Sequence, residues 1–114
     1  MLDINMEIRK GIMFIRLAGC LNSNTISKFN DDVERLLIDN GIRDIVLNLS
    51  NLKDIDGYGI NTLLESYQVC KSNHGNTIIC NINNLIKDKV HKSKLFNYIF
   101  EVDSEIDAMK LINI

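Results

Sequence analysis

The chain has no tryptophan and no proline, and aromatic residues make up only 6% of its 114 positions. Its core must therefore be packed from Ile, Leu and Val, with helices and strands joined by Gly and Asn turns instead of proline-fixed ones. It has no excess of base either: 13 Lys and Arg stand against 15 Asp and Glu, a formal charge of -2 at pH 7. That balance supplies no basic face for nucleic acid or for an acidic lipid surface. No uninterrupted apolar run approaches the roughly 20 residues of a membrane span. The opening Met1-Leu2-Asp3-Ile4-Asn5 carries acid where a secretion leader carries base. These absences predict a cytoplasmic chain without direct membrane insertion. Cysteine is scarce as well, three residues at wide spacing, an odd number that makes no disulfide framework. Cys70, His74 and Cys80 can be written as a metal pattern, but no fourth ligand lies nearby in sequence. Small buried thiols are the expected reading, with no metal and no cofactor.

What is present is apolar periodicity. With 46% hydrophobic residues, a chain of this length buries about two thirds of its unfolded surface, enough for one domain over 1–114. Leu2, Ile4, Met6 and Ile8 alternate with polar residues, predicting a strand with one face in water. Lys10-Gly11 turns the chain into a second strand, Ile12 to Leu17, paired with the first as a hairpin and ended by Gly19. Asn22, Ser23 and Asn24 are cap candidates for a helix in which Ile26, Phe29, Val33 and Leu36 or Leu37 recur, closed by Asn40-Gly41. Ile45 to Leu49 is nearly all apolar, the mark of a central strand covered on both faces.

The next helix carries Ile60, Leu63, Leu64 and Tyr67 on its inner stripe and breaks at Asn73 to Asn76. Thr77 to Cys80 predicts a strand, Leu85, Ile86 and Val90 a helix, and Tyr98 to Phe100 an edge strand. Ile106, Met109 and Ile112 mark a last helix. Strands joined by helices run parallel with right-handed crossovers. The expected class is α/β: a mixed β-sheet opened by an N-terminal hairpin, with about four helices packed against it.

The run from Ile45 to Leu64 carries the chemistry, because a buried strand passes through the acidic, Gly-rich Asp54-Ile55-Asp56-Gly57-Tyr58-Gly59 into a helix whose N-terminus meets the surface. The chain here resembles the STAS domain, specifically the single-domain bacterial anti-sigma factor antagonists. The likeness rests on Ile15-Arg16-Leu17-Ala18-Gly19, on Ile42 to Leu49, on Asp56-Gly57-Tyr58-Gly59-Ile60, and on Lys94-Leu95-Phe96, which is similar to the family's Gly-Leu-Phe. The resemblance implies a STAS-type fold and a partner of the GHKL-type serine kinase class, an anti-sigma factor that the antagonist sequesters. That kinase phosphorylates a Ser at the junction, and the antagonist then lets go. Phosphate adds about two negative charges at a docking surface and blocks it by repulsion and desolvation.

This sequence departs from the pattern at the switch. The family reads Asp-Ser-(Ser or Thr)-Gly-(Leu or Ile)-Gly, its second hydroxyl residue being the acceptor; here Asp56, Gly59 and Ile60 match, Gly57 and Tyr58 replace both hydroxyl residues, and Asn61 replaces the last Gly. The family's Gly-Glu-Leu-Asp stands as Gly19-Cys20-Leu21-Asn22, losing a carboxylate at Asn22. A phenol hydroxyl lies several ångströms farther from the backbone than that of Ser, so phosphorylation at the Tyr58 position is not expected. The expected contact set is Asn22, Asp56, Gly57, Tyr58, Gly59, Ile60, Asn61 and Thr62. Tyr58 reads as an interface residue, since Tyr offers large rigid area. The competing readings are an exposed Tyr without a role, and regulation moved to Thr62, Ser23, Ser50 or Thr25.

Other constellations have plainer readings. Asp54 and Asp56 complement a helix dipole more readily than they make an acid and base pair, and no nucleophile accompanies them. Gly57 and Gly59 lack the Lys and the loop length of a phosphate-binding loop. His74, His91 and the Lys87 to Lys94 cluster read as solvated turn and helix-end residues. The alternatives to an anti-sigma factor antagonist are a STAS subunit of another signalling or transport complex, and a nucleotide-binding domain.

Overall fold

The computed structural model describes residues 1–113. The hairpin forms as its sequence dictates: β1 (Leu2–Arg9) and β2 (Ile12–Leu21) are joined by Lys10 and Gly11, both at positive φ, 53° and 80°. Next come α1 (Ile26–Phe29), a π turn (Asn30–Glu34) and α2 (Arg35–Asp39), which run on as one rod. Then follow β3 (Asp44–Ile55), α3 (Gly57–Ser72), β4 (Thr77–Cys80), α4 (Lys87–Lys92), a 3-10 turn (Lys94–Asn97), β5 (Phe100–Val102) and α5 (Glu105–Ile112). The sheet order is β1-β2-β3-β4-β5, antiparallel in the first pair and parallel in the rest. This is the expected mixed sheet with four helical rods.

Strand periodicity divides the core in two. Met13, Ile15 and Leu17 of β2 and Ile45, Leu47 and Leu49 of β3 point to one face and pack with Phe29, Val33, Leu37 and Leu63. The intervening Ile12, Phe14, Val46, Ile78 and Cys80 point to the other, where Ala108 of α5 covers them. A sequential strand order with right-handed crossovers places the connecting helices on one face, so only the terminal helix is left to close the second. Cys70 and Cys80 are fully buried, and burial pushes their thiols up to about 11 and about 12.

The first rod shows why a strict 3.6-residue period fails there. Phe29, Val33 and Leu37 recur every four residues, and each is 0% exposed. The wider π turn absorbs the excess and keeps all three on one line.

Three strand boundaries differ from the sequence expectation, one of them that of β5, which spans Phe100–Val102 and leaves Tyr98 outside. Gly19 does not end β2; the strand continues to Leu21. Gly19 instead sits in it at φ +104°, where a Cβ would lie 2.3 Å from the Met1 carbonyl oxygen. Register shifts beside it break the alternation that a pattern search follows. For the same reason β3 runs six residues past Leu49, to Ile55, with Leu52 and Ile55 buried and Lys53 and Asp54 exposed. In α5, Ile106 is 65% exposed; the buried residue is the small Ala108, flanked by Met109 and Ile112. Leu85 also lies outside the core, 74% exposed.

The N-terminus of α5 is anchored by charge. Arg16 Nε and Nη2 donate to the two Glu105 oxygens at 2.8 and 2.9 Å, and Asn48 Nδ2 donates to Oε2 at 2.8 Å. The Arg16 bond, helped by Asn48 against the cost of burial, holds the Glu105 carboxyl below the usual glutamate range. A depressed folded-state pKa contributes stability that is present above the unfolded value and is lost as pH falls through the folded one. Unfolding free energy is therefore expected to drop as pH falls below about 4. Glu105→Gln is expected to cost about 1.5–3 kcal/mol at neutral pH and to flatten that acid limb. Urea titrations of both proteins across this range check it; parallel curves would contradict the assignment.

Candidate functional site

The site grows from the place where β3 ends and α3 begins. Asp56 is extended, at φ −112° and ψ −173°, and caps the helix: its Oδ1 accepts from Gly59 N–H at 2.9 Å. Its other oxygen, Oδ2, accepts from Ser23 N–H at 3.3 Å, and its own N–H donates to the Leu21 carbonyl at 3.2 Å. One carboxylate thus ties the start of α3 to the loop that follows β2. That loop is held by its own bonds: Asn24 N–H donates to Asn22 Oδ1 at 2.9 Å, and Thr25 Oγ1 donates to the Cys20 carbonyl at 2.8 Å.

Gly59 is the second structural requirement. It is buried, and a Cβ there would lie 2.4 Å from the Leu21 carbonyl oxygen and 2.8 Å from Ile55 Cγ1. Only glycine lets the first turn of α3 press against the end of β2. Gly57 has open space around it.

The expected contact residues divide accordingly. Gly57, Tyr58 and Asn61 are exposed, Tyr58 at 62%, while Asn22 and Asp56 are half-buried. Gly59 and Ile60 are buried and position the turn from beneath. Thr62 is 1% exposed, which takes it off the surface both as a contact and as a hydroxyl within reach of a kinase. The helical spacing that puts it one turn from Tyr58 holds, but that line curves into the core.

An open depression of about 580 Å³ is lined by Asp56, Gly57, Tyr58, Ile60, Asn61, Ser93 and Lys94. Ser93 and Lys94 are additions that local pattern did not reveal; the only pointer was the Lys94-Leu95-Phe96 likeness. Ser93 Oγ donates to the Val90 carbonyl at 2.6 Å and accepts from Leu95 N–H, capping the 3-10 turn that flanks the depression.

The acidic pair is not poised for acid and base work. Asp54 Oδ1 pairs with Lys89 Nζ at 2.5 Å, a bond that lowers its pKa, and Asp56 spends both oxygens on backbone N–H groups. The Asp54–Lys89 pair is more than half exposed at both ends, so it stabilises the fold little. Lys87, Lys89, Lys92 and Lys94 are all exposed, in line with the solvated reading of that cluster. His91 is exposed as expected and makes a surface contact: Nε2 lies 2.7 Å from Glu101 Oε1, and its ring centroid is 5.0 Å from that of Phe96.

A hairpin-opened five-stranded sheet with a capped junction at the carboxyl ends of β2 and β3 defines a STAS-type α/β domain. The chain belongs to the STAS domain family, which it matches over residues 3–109. An anti-sigma F factor antagonist from Paenibacillus polymyxa is 29% identical over 113 residues, covering 95% of this chain and 92% of that protein. The fold is similar to that of an anti-sigma factor antagonist from Mycobacterium paratuberculosis, with a TM-score of 0.88 at 14% identity, covering 100% and 96% of the two chains. It is also similar to the Bacillus cell fate determinant SpoIIAA in its phosphorylated form, with a TM-score of 0.73 at 18% identity over 96% and 99%. The chain is thus a STAS domain like those of anti-sigma factor antagonists. Among the described residues, no helix is long and apolar enough to cross a membrane.

Proposed function

We propose that this chain is a cytoplasmic, non-enzymatic binding module that docks an anti-sigma factor of the GHKL-kinase type through the Asp56 to Asn61 turn and the neighbouring Asn22-Ser23 loop. In this reading it sequesters its partner and cannot be released by serine phosphorylation at the usual position, which Tyr58 occupies. The supporting observation is Tyr58 itself: 62% exposed, on a turn fixed by the Asp56 cap and by Gly59 against Leu21. A large, rigid side chain held on a pre-organised backbone loses little entropy on docking, the property of an interface centre. The relatives' names support the class of partner.

The test is phosphorylation by an anti-sigma factor kinase with ATP, followed by mapping of the product. The wild-type chain is expected to stay unmodified at the junction, while Gly57→Ser combined with Tyr58→Ser is expected to become a substrate at position 58. Phosphate on Tyr58 of the wild type would overturn the reading. Phosphate on Ser23, an exposed residue whose N–H bonds the Asp56 carboxylate, would relocate the switch.

A further inference from the structure

We propose that the free edge of β1 is a docking surface for a second copy of this chain, β1 against β1 across a two-fold axis at Met6. Two five-stranded sheets would join into one. β1 is eight residues long and pairs only with β2. Lys10 and Gly11, at positive φ, join the opposed residues Arg9 and Ile12, and a two-residue turn of this kind makes that pair a hydrogen-bonded one, so Arg9, Glu7, Asn5 and Asp3 direct their backbone groups at β2. Met1 confirms this parity at the far end, its carbonyl accepting from Cys20 N–H at 2.9 Å. Leu2, Ile4, Met6 and Ile8 therefore present N–H and C=O groups to the open side.

Three common blunting devices are absent from this edge. Leu2–Arg9 contains no Pro and no Lys, and its pairing with β2 runs without a bulge. One row of its side chains is entirely apolar: Ile4 and Met6 are half-buried and Ile8 is 57% exposed.

The charges select a partner and a register. Opposed residues in an antiparallel pair share a face, so a two-fold axis must pass through a residue of the strand. Centred on Asn5, the pairing sets Asp3 against Glu7; centred on Glu7, it sets that carboxylate against itself. Centred on Met6, it sets Asp3 against Arg9, Asn5 against Glu7, Ile4 against Ile8 and Met6 against Met6. The outward backbone groups of Ile4, Met6 and Ile8 then bond to those of Ile8, Met6 and Ile4. Asp3 takes part in no ion pair among the described residues; Arg9 lies 3.4 Å from Glu7 and 3.5 Å from Glu105 with its side chain 43% exposed, so pairing with Asp3 of the second copy competes only with these long contacts. Because the contact is isologous it closes at two copies and does not propagate into fibres.

Sedimentation velocity of the full chain, from micromolar to millimolar, is expected to show a monomer–dimer equilibrium. Asp3→Arg and Met6→Lys each place like charges across the axis and are expected to weaken dimerisation about tenfold or more. Asp3→Arg combined with Arg9→Asp is expected to restore it. Circular dichroism confirms that each variant is folded. The register has its own readout: with Asp3→Cys and Arg9→Cys, oxidation is expected to yield a covalent dimer, because these residues oppose each other at a non-hydrogen-bonded position. With Asp3→Cys and Glu7→Cys it is not. A chain that stays monomeric throughout, a dimer indifferent to both single substitutions, or cross-linking of the second pair in place of the first would overturn the proposal.

Discussion

Replacing Gly59 with alanine is expected to destabilise the protein by about 1–2 kcal/mol, the net of two opposing effects. In an exposed helix the exchange would stabilise by about 1 kcal/mol, because Ala has less backbone entropy to lose. Here the added Cβ lands 2.4 Å from the Leu21 carbonyl oxygen. That oxygen cannot simply withdraw, since it accepts the Asp56 N–H at 3.2 Å. Overpacking of this kind costs about 1–3 kcal/mol and occasionally more, so the clash outweighs the propensity gain. Relief requires α3 to part from β2, which lengthens the Asp56 bridge to Ser23 and loosens the candidate site as well as the fold. Gly57→Ala is the internal control: a Cβ there meets nothing within 4 Å, and its expected effect is neutral to stabilising. The urea unfolding midpoint should fall for Gly59→Ala and stay or rise for Gly57→Ala. Equal shifts would show that Gly59 is not the contact that seats the helix.

Where local chemistry is sufficient, the fold was legible in the residues. Lys10-Gly11 between two apolar strands forces a tight hairpin, and the double apolar rows of Ile45 to Leu49 can only be a strand covered on both sides. The ends of β2 and β3 were not legible, because there the strands shift register and residues such as Gly19 are placed by a neighbouring chain segment, not by their own propensity. The same distinction runs through the site. The Asp56 cap follows from residue type and spacing. That Asp56 also holds Ser23, thirty-three residues away, is a tertiary fact. Thr62 shows the limit most clearly: helical spacing puts it on the line of Tyr58, but only the sheet beneath determines that this line turns inward within one helical turn.

Truncating Tyr58 to alanine is expected to weaken binding of an anti-sigma factor kinase by about thirtyfold, the scale of about 2 kcal/mol that a central aromatic anchor contributes. Stability is expected to change by less than about 0.5 kcal/mol, because the side chain is 62% exposed and caps nothing. This separation between affinity and stability distinguishes a docking residue from a structural one, and calorimetric titration beside a thermal melt reads both. Asn61→Ala, one helical turn along the rim of the same depression, is expected to cost much less, since rim contacts mainly exclude water. Tyr58→Phe separates the two properties of the phenol: retained affinity assigns the contribution to ring area, and a tenfold loss assigns it to the hydroxyl. Tyr58→Glu sets a fixed negative charge where a phosphorylated antagonist carries one, and is expected to weaken binding beyond alanine by repulsion and desolvation. If alanine and glutamate both bind as tightly as the wild type, the exposed turn at Tyr58 is not where the partner sits, and the docking proposal fails with it.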